Sequence, residues 1–349
     1  MNAIVCHAAK DLRVEAQDES ALPAPGQLRV RVARGGICGS DLHYYQHGGF
    51  GTVRLREPMV LGHEISAVID AVGDADSPFK VGQAIAVSPS RPCGGCRFCH
   101  LGQPNHCLNM RFYGSAMPFP HIQGAFRQSL MIDASQAHIL ADGLSLGEGA
   151  MAEPLSVGLH AIARAGGVFG KKVLITGCGP IGNLLIGSLR AAGAAEIIAA
   201  DLSDSALACA TRMGASSTHN LATNPQALQG YTAQKGYFDV MFEVSGSAKA
   251  LHDGLQCVAP RGVVVTVGLG GDVALPLNLI VGKELDLRGT FRFHPEFAQA
   301  VDLLNRRVID VRPVISHSVP FGEAVRAFEL AADKSQAMKV LLDFGVADR

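Results

Sequence analysis

The sequence predicts an α/β protein in two parts, a β-rich segment followed by a doubly wound parallel sheet. Three observations carry that expectation. At 349 residues the chain exceeds the ~250 to 300 residues at which a single hydrophobic core stops growing. Its first 150 residues are short apolar runs separated by Gly and Pro. From about Lys171, apolar runs alternate between a period of two and a helical period, as a parallel sheet with helical crossovers requires.

In the first part Leu28, Val30 and Val32 alternate with Arg29 and Arg31, the pattern of a half-buried strand. KKVLIT reads as a short strand, NLLIGSLRAAG as a helix through Leu184, Leu185 and Leu189, and EIIAAD as the next strand. SALACATRMGA and KALHDGLQCVA read as helices, with FDVMFEVSG, GVVVTVG and ELDLRGTF as strands. Six strands are the natural count for such a dinucleotide-binding sheet. The tail is mixed, with PEFAQAVDLLNRR and FGEAVRAFELAA as helices and MKVLLDF as a closing strand.

Thirty Lys and Arg against 31 Asp and Glu leave a net charge of -1, with 48% hydrophobic residues. Such a balance excludes a general nucleic-acid or anionic-membrane surface, which needs concentrated positive charge. The long apolar run from Val173 to Ala200 is interrupted by Arg190 and Glu196, so no membrane span is expected. The start, MNAIVCHAAKDLRV, lacks the basic end, apolar run and cleavage site of a secretory signal, and a soluble cytoplasmic protein is the expectation.

TGCGPIG places Gly177, Gly179 and Gly182 in a G-x-G-x-x-G pattern after a strand and at the opening of a helix. Glycines there allow a tight turn and let backbone N–H groups approach a pyrophosphate. The following strand ends at Asp201, where a carboxylate can accept hydrogen bonds from the adenosine ribose; its other reading is a helix cap. A carboxylate repels a 2′-phosphate, and no Arg or Lys lies between Asp201 and Arg212, so NAD is expected over NADP.

Of nine cysteines, Cys93, Cys96, Cys99 and Cys107 form C-x2-C-x2-C-x7-C. Four thiols in that span can close a tetrahedral zinc site; an iron–sulfur cluster is the rival. A four-thiolate zinc has no open coordination position, so this site is expected to brace a loop. Elsewhere, GGICGSDLHYY offers Cys38, Ser40, His43 and Tyr44, MVLGHE supplies His63 and Glu64, and AEPLSVGLHA supplies Glu153.

As a set, these residues resemble the zinc-dependent medium-chain dehydrogenases over essentially the whole chain. CGSDLHYY, GHE, AEPL and the TFRF of Thr290 to Phe293 place the resemblance in the polyol branch. GGICGSDLHYYQ, MRFYGSAMPFPH, KGYFDVMFEVSG and GKELDLRGTFRF point within it to enzymes of a sugar acid. The resemblance implies a GroES-like catalytic domain over residues 1–154, with 292–349 returning to it, and a Rossmann NAD domain over 155–291. It implies two zincs per chain, the catalytic one held by Cys38, His63 and a carboxylate for which Glu64 and Glu153 compete.

By the same resemblance Ser40 takes the alcohol proton, His43 passes it toward solvent, and Tyr44 touches substrate or packs. Cofactor contacts extend to Pro180, Ile181, Val244, Val267 and Thr290. The implied reaction is reversible oxidation of L-idonate to 5-keto-D-gluconate, with sorbitol, xylitol or threonine as other substrates. A sugar acid's carboxylate calls for an Arg, and Arg292 and Arg111 are the candidates. A homotetramer or dimer is implied as well. Two departures stand out: Ala67 occupies a family Gly position, and Ala206 stands where the branch commonly has Arg. A different class of function, a non-catalytic zinc module contacting nucleic acid through Arg91, Arg97 and His100, lacks the surrounding Lys and Arg density.

Overall fold

The alternation at Leu28, Val30 and Val32 becomes the strand Gln27–Gly36, with those three side chains buried. In the computed structural model, which describes residues 1–18 and 21–348, this strand lies inside a seven-stranded sheet. The order is Ala137–Ile139, Ala84–Val87, Glu64–Val72, Gln27–Gly36, Lys339–Asp343 and Ile315–Pro320, with Ser129–Asp133 also paired to Gln27–Gly36. The closing strand expected from MKVLLDF thus runs antiparallel beside Gln27–Gly36, with Leu341 opposite Gly36. Ala67 sits in the strand Glu64–Val72, opposite Val32, where extended backbone accepts an Ala as readily as a Gly.

Phe126, Phe328 and Tyr45 pack edge-on beneath this sheet, with ring centroids 6.4 Å and 5.6 Å apart. Burying each such ring stabilises the unit by about 1.5–3 kcal/mol. The same core holds the helix Gly39–His47 through Tyr44 and Tyr45.

From Lys172 the strands are apolar on both faces, as a sheet covered by helices on both sides requires. Val173 to Ile175, Ile197 to Ala200, Val240 to Phe242 and Val263 to Val265 are all buried. They form a six-stranded parallel sheet in the order Ser217–Asn220, Glu196–Asp201, Lys172–Thr176, Phe238–Glu243, Val258–Thr266 and Asp286–Gly289. Five of these strands were legible from hydrophobic pattern. The sixth, Ser217–Asn220, has no apolar alternation because it is an edge strand paired only to Glu196–Asp201.

The crossover helices are Pro180–Ala191, Asp204–Met213 and Ala248–Cys257. Ser203 and Ser247 cap two of them, accepting the N–H groups of Ala206 and Ala250. Lys283, itself buried, donates to the carbonyls of Gln256 and Val258 at 2.8 Å and so closes the end of Ala248–Cys257.

The chain divides into two compact units. One comprises Met1–Glu153, Phe297–Arg307 and Ile315–Arg349; the other comprises Pro154–Glu296 and Val308–Val314. Among the described residues no helix is long and apolar enough to cross a membrane.

Candidate active site and metal centres

Cys38 follows the strand Gln27–Gly36 and is the N-cap of the helix Gly39–His47. Asp41, in the first turn of that helix and fully buried, accepts the Cys38 backbone N–H at 3.0 Å through Oδ2. Its other oxygen accepts the Gly62 N–H at 3.0 Å. The carboxylate therefore ties the helix start to the turn preceding His63 and Glu64. As a result, one ligand-type atom from each of Cys38, His63 and Glu64 lies within 4.8 Å of the others.

Burial makes this group electrostatically costly even with the Lys339 ammonium on Glu64. It pushes the Cys38 thiol up to about 11, with the Glu64 charge adding to the effect. It pushes Glu153 up to about 8, where Glu64 and Cys38 add and His63 opposes. Asp41 is raised by burial as well. His63 Nδ1 is buried without a hydrogen-bond partner, 3.8 Å from Asp41 Oδ1. A dication reverses these penalties, since its ligands must be thiolate, neutral imidazole and carboxylate. One sulfur, one nitrogen and one carboxylate are a donor set suited to a catalytic zinc, whose fourth position is left for water or substrate. The residues present therefore fit the metal.

The structure separates the remaining residues of GGICGSDLHYY. A hydrogen bond from Ser40 reaches the Cys38 side chain and favours its thiolate. His43 is exposed, its ring 5.8 Å from that of Phe50, and partial burial together with His47 and Lys334 lowers its pKa. Tyr44 points the other way, into the core, where its hydroxyl accepts the Ala116 N–H at 3.0 Å. Arg111 is exposed, and its neighbour Phe112 packs against the His63 ring at 5.6 Å.

The four remaining metal-type cysteines lie in a loop closed by a short ladder in which Arg91 faces Arg111 and Ser90 faces Phe112. Cys96 Sγ lies 3.6 Å from Cys99 Sγ and 3.9 Å from Cys107 Sγ. A tetrahedron with Zn–S bonds of about 2.3 Å has S–S edges of about 3.8 Å, so the spacing fits zinc. Backbone N–H groups of Cys93 and Asn109 point at Cys107 Sγ, at 3.2 Å and 3.3 Å, as thiolate ligands require. Backbone N–H donation, first from Cys99, holds the Cys96 thiol down to about 6.

In the second unit, the expected cofactor residues fall at the carboxyl ends of the parallel strands, where open α/β sheets bind their ligands. Gly177 to Gly182 follow Lys172–Thr176, Val244 follows Phe238–Glu243, Val267 follows Val258–Thr266 and Thr290 follows Asp286–Gly289. Gly179 is the N-cap and Pro180 the first residue of the helix Pro180–Ala191, with Ile181 next. Asp201 accepts the Cys178 N–H at 2.6 Å and the Leu202 and Ser203 N–H groups at 2.7 Å and 2.9 Å. The capping role falls to Ser203 instead. Thr290 Oγ1 is buried without a partner, and Arg292, also in this unit, has φ 55° with its guanidinium 5.0 Å from the Phe291 ring centroid. Ala206 is buried in its helix.

The profile of the alcohol dehydrogenase GroES-like domain matches residues 24–142, and that of the zinc-binding dehydrogenases matches residues 180–306. The chain belongs to the zinc-binding alcohol dehydrogenase family. Among members of this family it is similar to L-idonate 5-dehydrogenase (NAD(P)(+)) of Escherichia coli K12, 44% identical over 90% of this chain and 91% of the relative. Sorbitol dehydrogenase of Bacillus subtilis is 32% identical over 98% of this chain and 97% of its own. The crystal structure of the E. coli L-idonate 5-dehydrogenase superposes with a TM-score of 0.94, at 41% identity, over 98% of each chain. Two residues of this dehydrogenase's metal region escaped sequence reading: Asp41, legible only as a helix-start acid, and Lys339. Lys339 stands 275 residues from Glu64, whose carboxylate it contacts.

Proposed function

We propose that this protein is an NAD-dependent, zinc-dependent L-idonate 5-dehydrogenase, oxidising the C5 hydroxyl to the ketone of 5-keto-D-gluconate. The observation that carries this reading is the buried Cys38–His63–Glu64 donor group in a chain 44% identical to an L-idonate 5-dehydrogenase over nine-tenths of its length. Cys38, His63 and Glu64 hold the catalytic metal, with Glu153 beside them. When bound, zinc supplies Lewis acidity that makes a coordinated hydroxyl far easier to deprotonate.

Ser40 accepts the alcohol proton and His43, exposed on the same helix, carries it to solvent. NAD, when bound, would supply the hydride acceptor; Gly177 to Gly182 would hold its pyrophosphate and Asp201 its adenosine ribose. Arg292, with Arg111 as the second candidate, receives the substrate carboxylate. The first unit, Met1–Glu153 with Phe297–Arg307 and Ile315–Arg349, is the catalytic part and the second, Pro154–Glu296 with Val308–Val314, the cofactor part. The return to the catalytic part thus begins at Phe297 rather than at 292, and 308–314 stay with the cofactor part. Cys93, Cys96, Cys99 and Cys107 hold a second zinc that braces their loop.

Steady-state kinetics with L-idonate and sorbitol, each with NAD and NADP, tests the reading. L-idonate with NAD is expected to give the highest kcat/KM, and metal analysis two zincs per chain. Equal or better turnover of sorbitol would assign the protein to polyols instead.

The protein is proposed to be cytoplasmic and a homo-oligomer, tetramer or dimer. Asp286–Gly289 is an edge strand, and next to it in sequence Leu277 and Val281 are 65% and 74% exposed, an apolar face that a second copy would cover. Light scattering on the purified protein is expected to give a mass of two or four chains, and the mass of one chain would sink this part.

A further inference from the structure

Lys339 opens the strand Lys339–Asp343, and its side chain is only 3% exposed. All three ammonium donors are used. Glu64 Oε1 and Oε2 accept at 2.8 Å and 2.7 Å, and the Ile37 carbonyl accepts at 3.2 Å. The ammonium reaches Glu64 across the intervening strand, where Gly36 lies between Glu64 and Leu341 in the ladder. A Cβ at Gly36 would stand 2.1 Å from Glu64 Oε2, so glycine is what leaves room for the pair.

A pair serving stability alone could be exchanged for apolar groups at little cost. Its location argues for more. Carboxylate oxygens have lone pairs to spare after accepting from an ammonium, and one oxygen of Glu64 lies within 4.8 Å of a ligand atom of Cys38 and of His63. The Cys38 thiolate and Glu64 carboxylate balance one dication, and with Glu153 ionised nearby one negative charge is left over, which the Lys339 ammonium, attracted by all three groups, offsets.

We propose that Lys339 is a positioning residue for the catalytic zinc, clamping Glu64 in the orientation that meets Cys38 and His63. The C-terminal strand thereby becomes part of the metal centre. This rests on the functional reading above, in which Cys38, His63 and Glu64 bind zinc.

The test compares the wild-type chain with Lys339→Met, Lys339→Arg, Glu64→Gln and the double variant Glu64→Gln/Lys339→Met. Zinc per chain is followed under competition with a chromogenic chelator, and the d–d spectrum is recorded after cobalt substitution. Lys339→Met is expected to weaken retention of one zinc about 10- to 100-fold, as loss of an outer hydrogen-bonding partner does. The four-cysteine zinc and NADH binding stay unchanged, Lys339→Arg restores most of the loss, and in the Glu64→Gln background Lys339→Met adds little. If Lys339→Met does not fold, the double variant, which removes both buried charges, and Lys339→Arg carry the comparison.

Wild-type zinc affinity and cobalt spectrum in Lys339→Met, or additive losses from Glu64→Gln and Lys339→Met, overturn the proposal alone. A wild-type chain that holds zinc only in the four-cysteine loop overturns the functional reading and this proposal with it.

Discussion

Cys38→Ser is expected to lower kcat/KM for L-idonate by at least about 10³-fold, a loss of about 4 kcal/mol of transition-state stabilisation. NAD affinity is expected to hold to within roughly twofold, as for substitutions at independent sites. The two expectations follow from where Cys38 stands. It is the sulfur of the Cys38–His63–Glu64 candidate group in the first unit, while the glycine loop and Asp201 belong to the second. A serine hydroxyl ionises far less readily than a thiol and is a poorer zinc ligand. The Cys38 backbone bond to Asp41 survives the change, so the helix start and His63 keep their places. Zinc analysis is expected to show one zinc per chain instead of two, and NADH fluorescence titration an unchanged Kd. A comparable loss of cofactor affinity would contradict the division of labour between the units.

Much of this arrangement was readable from residue order because its signals are local. The four cysteines occupy one loop, and the glycine pattern and Asp201 end adjacent strands, so spacing along the chain reports proximity in space. The strands of the parallel sheet are buried on both faces, and their apolar runs announce them, except for polar Ser217–Asn220 at the edge. Illegible were the features set by chain ends meeting. Lys339 reads as the solvated start of a tail strand, and only the pairing of Lys339–Asp343 with Gln27–Gly36 brings it to Glu64. The choice between Glu64 and Glu153 had the same origin. Both carboxylates are buried near the donor group, and nothing in GHE or AEPL says that one of them is held by an ammonium. Tyr44 shows the converse. Its place beside His43 suggested the active site, yet helical geometry turns consecutive residues about 100° apart, and its hydroxyl ends on Ala116.

Gly179→Ala and Gly182→Ala are expected to weaken NAD binding for different reasons, and the difference tests how the nucleotide loop works. A Cβ at Gly182 would lie 2.0 Å from the Gly177 carbonyl oxygen, a backbone atom that cannot step aside. Gly177 in turn is fixed at φ 95°, with Ser245 N 2.6 Å from where its own Cβ would be. Gly182→Ala must therefore push the helix Pro180–Ala191 off the loop, costing about 1–3 kcal/mol of stability. Displacing the phosphate-facing N–H groups then weakens NAD binding as well, because the pyrophosphate loses its aligned donors at the helix N-terminus. At Gly179 a Cβ meets nothing within 4 Å, and its φ of -64° suits any residue. Gly179→Ala is therefore expected to melt at the wild-type temperature yet bind NAD more weakly, because the methyl stands where the pyrophosphate must approach. Both variants keep two zincs per chain. Thermal melts and NADH titrations of the pair decide the matter. If Gly179→Ala binds NAD as the wild type does, the dinucleotide does not cross the helix N-terminus there, and the glycine pattern serves only the folding of the turn.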